Sequence, residues 1–177
     1  MDKQKKVKLW LLVGIPGSGK STWIQNHKNC FAKDHAIISR DKIRFSLLQE
    51  NDDYFSKEKE VWTQYVAEIK ESLKFNTDTI LDATHLNEAS RGKVLNSLKN
   101  YLNDVEINAI VINSGLQTAI KQNNMREGRE FVPISAIRRM NSSMTIPSII
   151  EGFDNIYIYN NNNSSNGKPT YQIIERS

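Results

Sequence analysis

Cysteine is nearly absent from this 177-residue chain, in which Cys30 is the only example. A single cysteine cannot form an internal disulfide, so the fold cannot depend on one. Cys30, His27, His35 and His85 also lack the close, regular spacing that metal-binding cysteines and histidines show. The chain is therefore expected to work in a reducing, cytoplasmic compartment.

Long apolar runs are missing as well. No stretch approaches the roughly 20 apolar residues of a membrane span. The basic start resembles the first part of a signal peptide, but the apolar run after it is short and no A-x-A-like cleavage site follows. A strong charge imbalance is also lacking, since 24 Lys and Arg face 20 Asp and Glu, a net charge of +4. We expect one domain with no membrane partner, whose positive charge matters only where it is clustered.

The most informative stretch is GIPGSGKS, from Gly14 to Ser21, which fits the P-loop pattern G-x-x-x-x-G-K-[S/T]. Gly14 and Gly19 are expected to free the backbone, so that successive N–H groups can point at a polyphosphate. Lys20 would reach the β- and γ-phosphates, and the Ser21 hydroxyl would bind a magnesium ion. The alternative is an ordinary glycine-rich turn between a strand and a helix.

The surroundings of this motif favour a parallel α/β sheet. An apolar run at Val7–Val13 predicts a buried strand, and Ser21–Asn26 can open a helix. The chain then alternates between the two types of element. Further strands are predicted at 36–39, 79–82, 105–112, 156–159 and 171–174, and further helices at 42–50, 56–75 and 88–102. Ligands of such a sheet bind outside the carboxyl ends of its strands.

Two acids follow predicted strands at that edge, Asp41 and Asp82. Asp41 could instead cap the helix that begins beside it. Asp82 either supports the metal directly or through a water, or makes a structural bond to Thr22 or Thr84.

Arg44 follows Asp41 by three residues, so both side chains can face one cleft. An acid in that position can accept the proton of an acceptor hydroxyl. The alternative is a simple ion pair on a helix surface, which the local spacing by itself favours.

A polar, basic segment at about residues 117–140 predicts a mobile lid that carries Lys121, Arg126 and Arg129. Its alternative is a solvated helix face. In the long helix, a four-residue stripe that includes Tyr65 predicts core packing, and base stacking by Trp62 or Tyr65 is the alternative. Residues 160–167 form an Asn/Ser-rich loop of low complexity.

Taken together, four elements resemble phage-type polynucleotide 5′-hydroxyl kinases, over most of residues 9–144. They are GIPGSGKSTW, the R-D-x-x-R sequence 40–44, the D-x-T-x-L-N sequence 82–87, and Arg126 ahead of a Val-Pro pair and a helix ending Arg139-Met140. The resemblance implies a three-layer P-loop kinase fold, with a mainly parallel central sheet flanked by helices and a helical lid, formed by residues 1–177 as a single domain.

The resemblance also implies roles. Asp41 would be the general base on a nucleic-acid 5′-OH, Arg44 would grip the neighbouring phosphate of the acceptor strand, and Lys20 would stabilise the migrating phosphoryl group. ATP and Mg²⁺ are the implied cofactors, with Ser21 and Asp82 as the metal site. The implied donor site consists of Gly14, Pro16, Gly17, Ser18, Gly19, Lys20, Ser21, Thr22, Arg126 and Arg129.

The chain departs from that family at three places. His85 stands where relatives commonly have Asn, the acid Asp82 comes one residue earlier than in some members, and an earlier lid arginine has no match. Arg129 is expected to compensate for that arginine. The chain is also too short for the phosphatase or ligase domain of some members. A separate partner protein could therefore supply the phosphatase or ligase activity.

Three functions remain open at this stage. The first is a polynucleotide 5′-hydroxyl kinase acting on RNA or DNA. The second is a P-loop kinase of a small metabolite such as a nucleoside or sugar, and the third is a non-catalytic, nucleotide-gated RNA-binding module.

Overall fold

The structure is a computed structural model that describes residues 6–160 and 170–176. Most of the low-complexity loop predicted at 160–167 therefore lies outside the described residues. Within the described ranges, no helix combines the length and the apolar character needed to cross a bilayer.

The described residues form six strands and six α-helices, which largely alternate along the chain. The strands are Val7–Val13 (β1), His35–Ser39 (β2), Asp78–Asp82 (β3), Val105–Asn113 (β4), Asn155–Asn160 (β5) and Thr170–Glu175 (β6). The helices are Lys20–Asn26 (α1), Arg40–Leu47 (α2), Glu58–Lys74 (α3), Glu88–Leu98 (α4), Leu116–Asn123 (α5) and Ile134–Ser143 (α6).

The strands form one sheet in the order β2-β3-β1-β4-β5-β6. All neighbouring pairs are parallel except β5 and β6, which are antiparallel. This confirms the mainly parallel sheet that the alternation of elements predicts. Because Ser39 is in register with Asp82, the ends of β2 and β3 lie side by side at the edge where β1 enters the P-loop.

The side chains of β1 divide the core into two layers, because successive residues of a strand point to opposite faces. Leu9, Leu11 and Val13 pack with α3 and α4 on one face. Trp10 and Leu12 pack on the other face with α1. Since both faces are covered, the strand is an unbroken apolar run from Leu9 to Val13, as expected for a buried parallel strand.

Several helix boundaries differ from the expectation by a few residues, among them the start of α2 and the end of α4. Helix α2 begins at Arg40 because the Ser39 hydroxyl accepts a hydrogen bond from the backbone N–H of Lys42, at 3.4 Å. Ser39 is thus the N-cap, and the interpretation of Asp41 as the capping residue is wrong. Helix α4 ends at Leu98 and continues as a 3₁₀ turn over Lys99–Tyr101, short of the predicted end at residue 102.

Candidate active site

The P-loop connects β1 to α1 and has a left-handed backbone at two glycines. Gly17 has a φ of 78° and Gly19 has a φ of 91°, values that side chains strongly disfavour. A Cβ on Gly17 would also lie 2.2 Å from the carbonyl oxygen of Ala119 in α5. The expectation of conformational freedom was correct for Gly19 but wrong for Gly14. Gly14 is needed for space, since a Cβ there would lie 2.6 Å from Ser18 Oγ.

Lys20 lies at the start of α1 with its ammonium group folded over the loop. Its Nζ donates to the carbonyl oxygens of Gly14, at 2.8 Å, and Ile15, at 3.0 Å. Desolvation lowers the pKa of Lys20 to about 8, although the nearby carboxylates of Asp82 and Asp41 act in the opposite direction. A polyphosphate would offer this cation a stronger partner than two carbonyl groups do.

The Ser21 hydroxyl and the Asp82 carboxylate meet beside the loop. Ser21 Oγ donates to Asp82 Oδ2 at 3.1 Å. Among the described residues, Asp82 makes this hydrogen bond and none to Thr22 or Thr84. A hydroxyl and a carboxylate are hard oxygen ligands, which suit Mg²⁺. No group of three or more His, Cys, Asp or Glu that could hold a metal occurs in the described part of the chain. The donor set therefore fits an ion that takes its other ligands from phosphates and water.

The remaining predicted donor residues surround this cradle. Pro16 and Ser18 are buried, whereas Thr22 is exposed in the first turn of α1. The Ser18 hydroxyl is buried and has no hydrogen-bond partner among the described residues. It remains available to a ligand that enters the loop.

Asp41 and Arg44 face each other as their spacing predicted, but the pair differs from a surface ion pair. The Arg44 side chain is 6% exposed and the Asp41 side chain 64%. Asp41 Oδ1 accepts from Arg44 Nη1 at 2.5 Å and from the Tyr54 hydroxyl at 3.2 Å. Its other oxygen, Oδ2, has no hydrogen-bond partner in the ranges that the structure describes. The carboxylate is held by one oxygen and open at the other.

Glu58, in the first turn of α3, is a site residue that the sequence analysis missed. Its carboxylate takes hydrogen bonds from Arg44 Nε at 2.9 Å and Nη2 at 2.5 Å, and from Arg40 Nη2 at 2.7 Å. Glu58 is 14 residues from Arg44 in sequence, so no helical spacing joins them. Only the packing of α2 against α3 brings the carboxylate to the two arginines.

The lid consists of α5, α6 and the segment between them. Its base packs on the P-loop through Ile15, Ala119 and Ile137. The Asn123 side chain donates to the Val132 carbonyl at 2.8 Å and accepts from the Val132 N–H at 3.0 Å, which closes the connecting loop. Ile137 buries one side of α6, whereas Arg138 and Arg139 on it are exposed, as the alternative of a solvated helix face also expects.

The two lid arginines lie in different places. Arg126 is exposed, yet close enough to Lys20 for its charge to contribute to lowering the pKa of Lys20. Arg129 reaches across to the segment after α2, where it donates to the carbonyl oxygens of Gln49 and Glu50. Arg126 thus lies within electrostatic range of Lys20, whereas Arg129 is hydrogen-bonded to the segment after α2.

His85 is a buried residue that links β1 to α3 beneath the P-loop. With a φ of 40° and 4% exposure, it lies in the loop after β3. Its Nδ1 is 2.7 Å from the Leu12 carbonyl and therefore donates, so that Nε2 accepts from the Tyr65 hydroxyl at 3.1 Å. Desolvation lowers the pKa of His85 to about 4, so the ring is neutral at neutral pH. Tyr65 is a core residue, which rules out base stacking by its ring.

Solved structures share this architecture. A chain of the Pnkp1/Rnl/Hen1 RNA repair complex has a TM-score of 0.65 and 25% identity, covering 80% of this chain and 45% of that chain. A chain of the PezAT toxin-antitoxin system of Streptococcus pneumoniae has a TM-score of 0.65 and 19% identity, covering 95% and 72%. A gluconokinase from Sinorhizobium meliloti 1021 has a TM-score of 0.51 and 15% identity, covering 89% and 84%.

The present chain thus spans less than half the length of the RNA-repair protein that it resembles. The last two likenesses concern the fold, because the identities are low. The first agrees with the resemblance to polynucleotide kinases. Since residues 9–147, most of the chain and all of the described cradle, match the AAA domain family, this chain belongs to that family and is a P-loop kinase domain within it.

Proposed function

We propose that this protein is a polynucleotide 5′-hydroxyl kinase that transfers the γ-phosphate of ATP to the 5′-OH end of RNA or DNA. The observation that carries the proposal is the half-bound carboxylate of Asp41. One of its oxygens is held by buried Arg44, and the other is open at the sheet edge that also carries Lys20. A nucleotide-binding module without an acceptor has no need of such a carboxylate.

In the proposed reaction, the acceptor hydroxyl lies between Asp41 Oδ2 and the γ-phosphorus of ATP. Its oxygen forms the new bond to phosphorus while the bond from the γ-phosphorus to the β,γ-bridging oxygen breaks, and ADP leaves. The hydroxyl proton passes to Asp41. Lys20 and Arg126 neutralise the charge that develops on the migrating group and on the leaving phosphate.

Ser21, with Asp82 behind it, would hold Mg²⁺, which supplies charge neutralisation to the phosphates when bound. Arg44 is proposed to bind the first phosphate of the acceptor strand. Four of its five N–H groups already have partners in Asp41, Tyr54 and Glu58. The remaining Nη2 hydrogen is available to a phosphate oxygen, and the others hold the guanidinium in place.

The test is transfer of labelled γ-phosphate from ATP to 5′-OH RNA, 5′-OH DNA, and a panel of nucleosides and sugars. We expect label on the oligonucleotides, and we expect Asp41→Asn to lower kcat by roughly a hundredfold to ten-thousandfold with ATP binding unchanged. Asp53→Asn is the matched control, because Asp53 is a nearby exposed aspartate.

Two results would contradict the proposal. Label on nucleosides or sugars alone would assign the chain to the metabolite kinases. Binding of ATP and RNA without transfer to any acceptor would make it a nucleotide-gated binding module. Normal turnover of the Asp41→Asn variant on oligonucleotides would leave the activity but remove Asp41 as its base.

A further inference from the structure

A small cavity of about 60 Å³ opens beside the acceptor edge, between α3, α4 and the loop after β3. Its lining includes Arg40, Trp62, Thr84, Ser90 and Lys93. Core residues, namely Tyr65, Ala83, His85 and Val94, complete the lining, and the Ser90 hydroxyl already bonds Asn87, which leaves two cations, Thr84 and an indole. They are the side chains that bind phosphates and sugars in nucleic-acid sites.

Lys93 and Arg40 converge on the same aromatic ring. The Lys93 ammonium lies 4.1 Å from the centre of the Trp62 ring, and the Arg40 guanidinium lies 5.7 Å from it. Trp62 is half-buried and Lys93 is exposed. No carboxylate of the described residues lies within 4.0 Å of the Lys93 ammonium, so its charge is directed by the indole and is not neutralised by an acid.

Arg40 joins this pair to the catalytic edge. Its Nη2 shares the Glu58 carboxylate with Arg44, and its Nε is buried without a partner among the described residues. The cations Arg44, Arg40 and Lys93 therefore follow one another from Asp41, across the first turns of α3, to α4. Arg44 and Arg40 are fixed by the Glu58 carboxylate, and Lys93 is fixed by the Trp62 ring. The three cations therefore lie at successive contacts, beginning beside Asp41.

We propose that Lys93, positioned by Trp62 and supported by Arg40, binds the second backbone phosphate of the acceptor strand, counted from the 5′-OH end. The inference rests on the proposed function and adds to it a substrate length. The acceptor that uses the whole site has at least two phosphates 3′ of its hydroxyl. A nucleoside 3′-monophosphate would reach Arg44 only.

The test compares a nucleoside 3′-monophosphate with a dinucleotide that also carries a 3′-phosphate. We expect Lys93→Ala to raise KM for the dinucleotide about tenfold and to leave KM for the mononucleotide unchanged. Loss of one phosphate contact also lowers the salt dependence of dinucleotide binding by about one ion. Trp62→Leu is expected to have the same selectivity with a smaller change, and Lys93→Arg is expected to restore the wild-type value.

Lys70→Ala is the matched control. Lys70 lies on the other half of α3, with its ammonium 5.6 Å from the ring of Tyr101, so it has the same type of cation–aromatic contact away from the cavity. Equal changes in KM for both acceptors, or no change with Lys93→Ala, would overturn the subsite alone. Absence of transfer by the wild-type protein to either acceptor and to a longer 5′-OH oligonucleotide would overturn the kinase proposal and the subsite with it.

Discussion

Two buried arginines, Arg44 and Arg91, differ in how completely they are used. Arg91 is fully buried, and all five of its N–H groups have partners in Glu151, Thr145 and the carbonyl oxygen of His85. Its acid, Glu151, is 8% exposed. Arg44 is 6% exposed, and four of its five N–H groups are paired, with Tyr54 and with two acids. The side chains of these acids, Glu58 and Asp41, are 32% and 64% exposed.

This is the difference expected between structural support and the proposed acceptor cleft. The N–H groups of Arg91 are all satisfied within the chain, so this side chain serves to join the loop after β3 to the segment after α6. Around Arg44, one N–H group and the second oxygen of the exposed Asp41 carboxylate have no partner among the described residues. Because leftover polar groups are stable where water or a ligand reaches them, the two regions should respond differently to substitution and to pH.

Loss of each arginine should give the largest contrast. Arg91→Met leaves the Glu151 carboxylate buried without a partner, so we expect the free energy of unfolding to fall by about 3 to 5 kcal/mol. Arg44→Met leaves carboxylates that water can reach, so we expect a loss of about 2 kcal/mol together with a higher KM for oligonucleotides. Urea denaturation and acceptor titration measure the two effects.

The double variant Arg91→Met with Glu151→Leu is the control, because removal of both charges should recover most of the lost stability. The comparison would be wrong if Arg44→Met destabilised the protein as much as Arg91→Met does.

His85 belongs to the supporting region and provides a pH test. Its pKa is about 4 in the folded protein and about 6.5 in the unfolded chain. Between these values the unfolded chain binds a proton that the folded protein does not. Stability is therefore fully present above pH 6.5 and falls by about 3 kcal/mol as pH drops to 4. Denaturation across this range measures the loss.

His85→Asn is the matched variant for this test. Asparagine tolerates the left-handed backbone at this position, and its amide can donate to the Leu12 carbonyl without titrating. If the stability of the His85→Asn variant fell as steeply between pH 6.5 and pH 4 as that of the wild type, His85 would not be the group responsible.

Lys20 belongs to the cleft and should give the smallest effect, which we test on ATP binding. Its pKa of about 8 rises when phosphates replace the Gly14 and Ile15 carbonyls, so binding requires the proton. We expect ATP affinity to be about twofold lower at pH 8 than at pH 7, and about tenfold lower at pH 9. Calorimetric titration measures it. Lys20→Arg, which does not titrate there, should remove the inflection; if it persists, another group controls binding.

Much of the fold was predictable because it follows from local patterns. The apolar run of β1 predicted its limits at Val7 and Val13, and the alternation of strands and helices predicted the parallel sheet. Boundaries were less predictable where a side chain decides them. Nothing in the spacing of Asp41 distinguishes it from a cap, and only the hydrogen bond to the Ser39 hydroxyl does so.

The candidate site was predictable to a smaller extent. The P-loop, Asp41, Arg44 and Asp82 were found because each lies at the end of a strand or in a known motif. Glu58 was missed, since a lone acid at the start of a long helix has no distinguishing pattern. Arg129 was expected near the donor phosphates but contacts Gln49 and Glu50, so its part in nucleotide binding stays a prediction.

The sequence by itself determined the phosphate cradle, because GIPGSGKS brings its glycines, lysine and serine together within a single turn between strand and helix. It also determined that Arg44 lies one helical turn after Asp41. Only the tertiary structure decided what that pair is. Packing of α2 on α3 brings Glu58 to Arg44 and buries the guanidinium. This contact between residues far apart in sequence holds the guanidinium that binds Asp41 Oδ1, while Asp41 Oδ2 has no hydrogen-bond partner among the described residues.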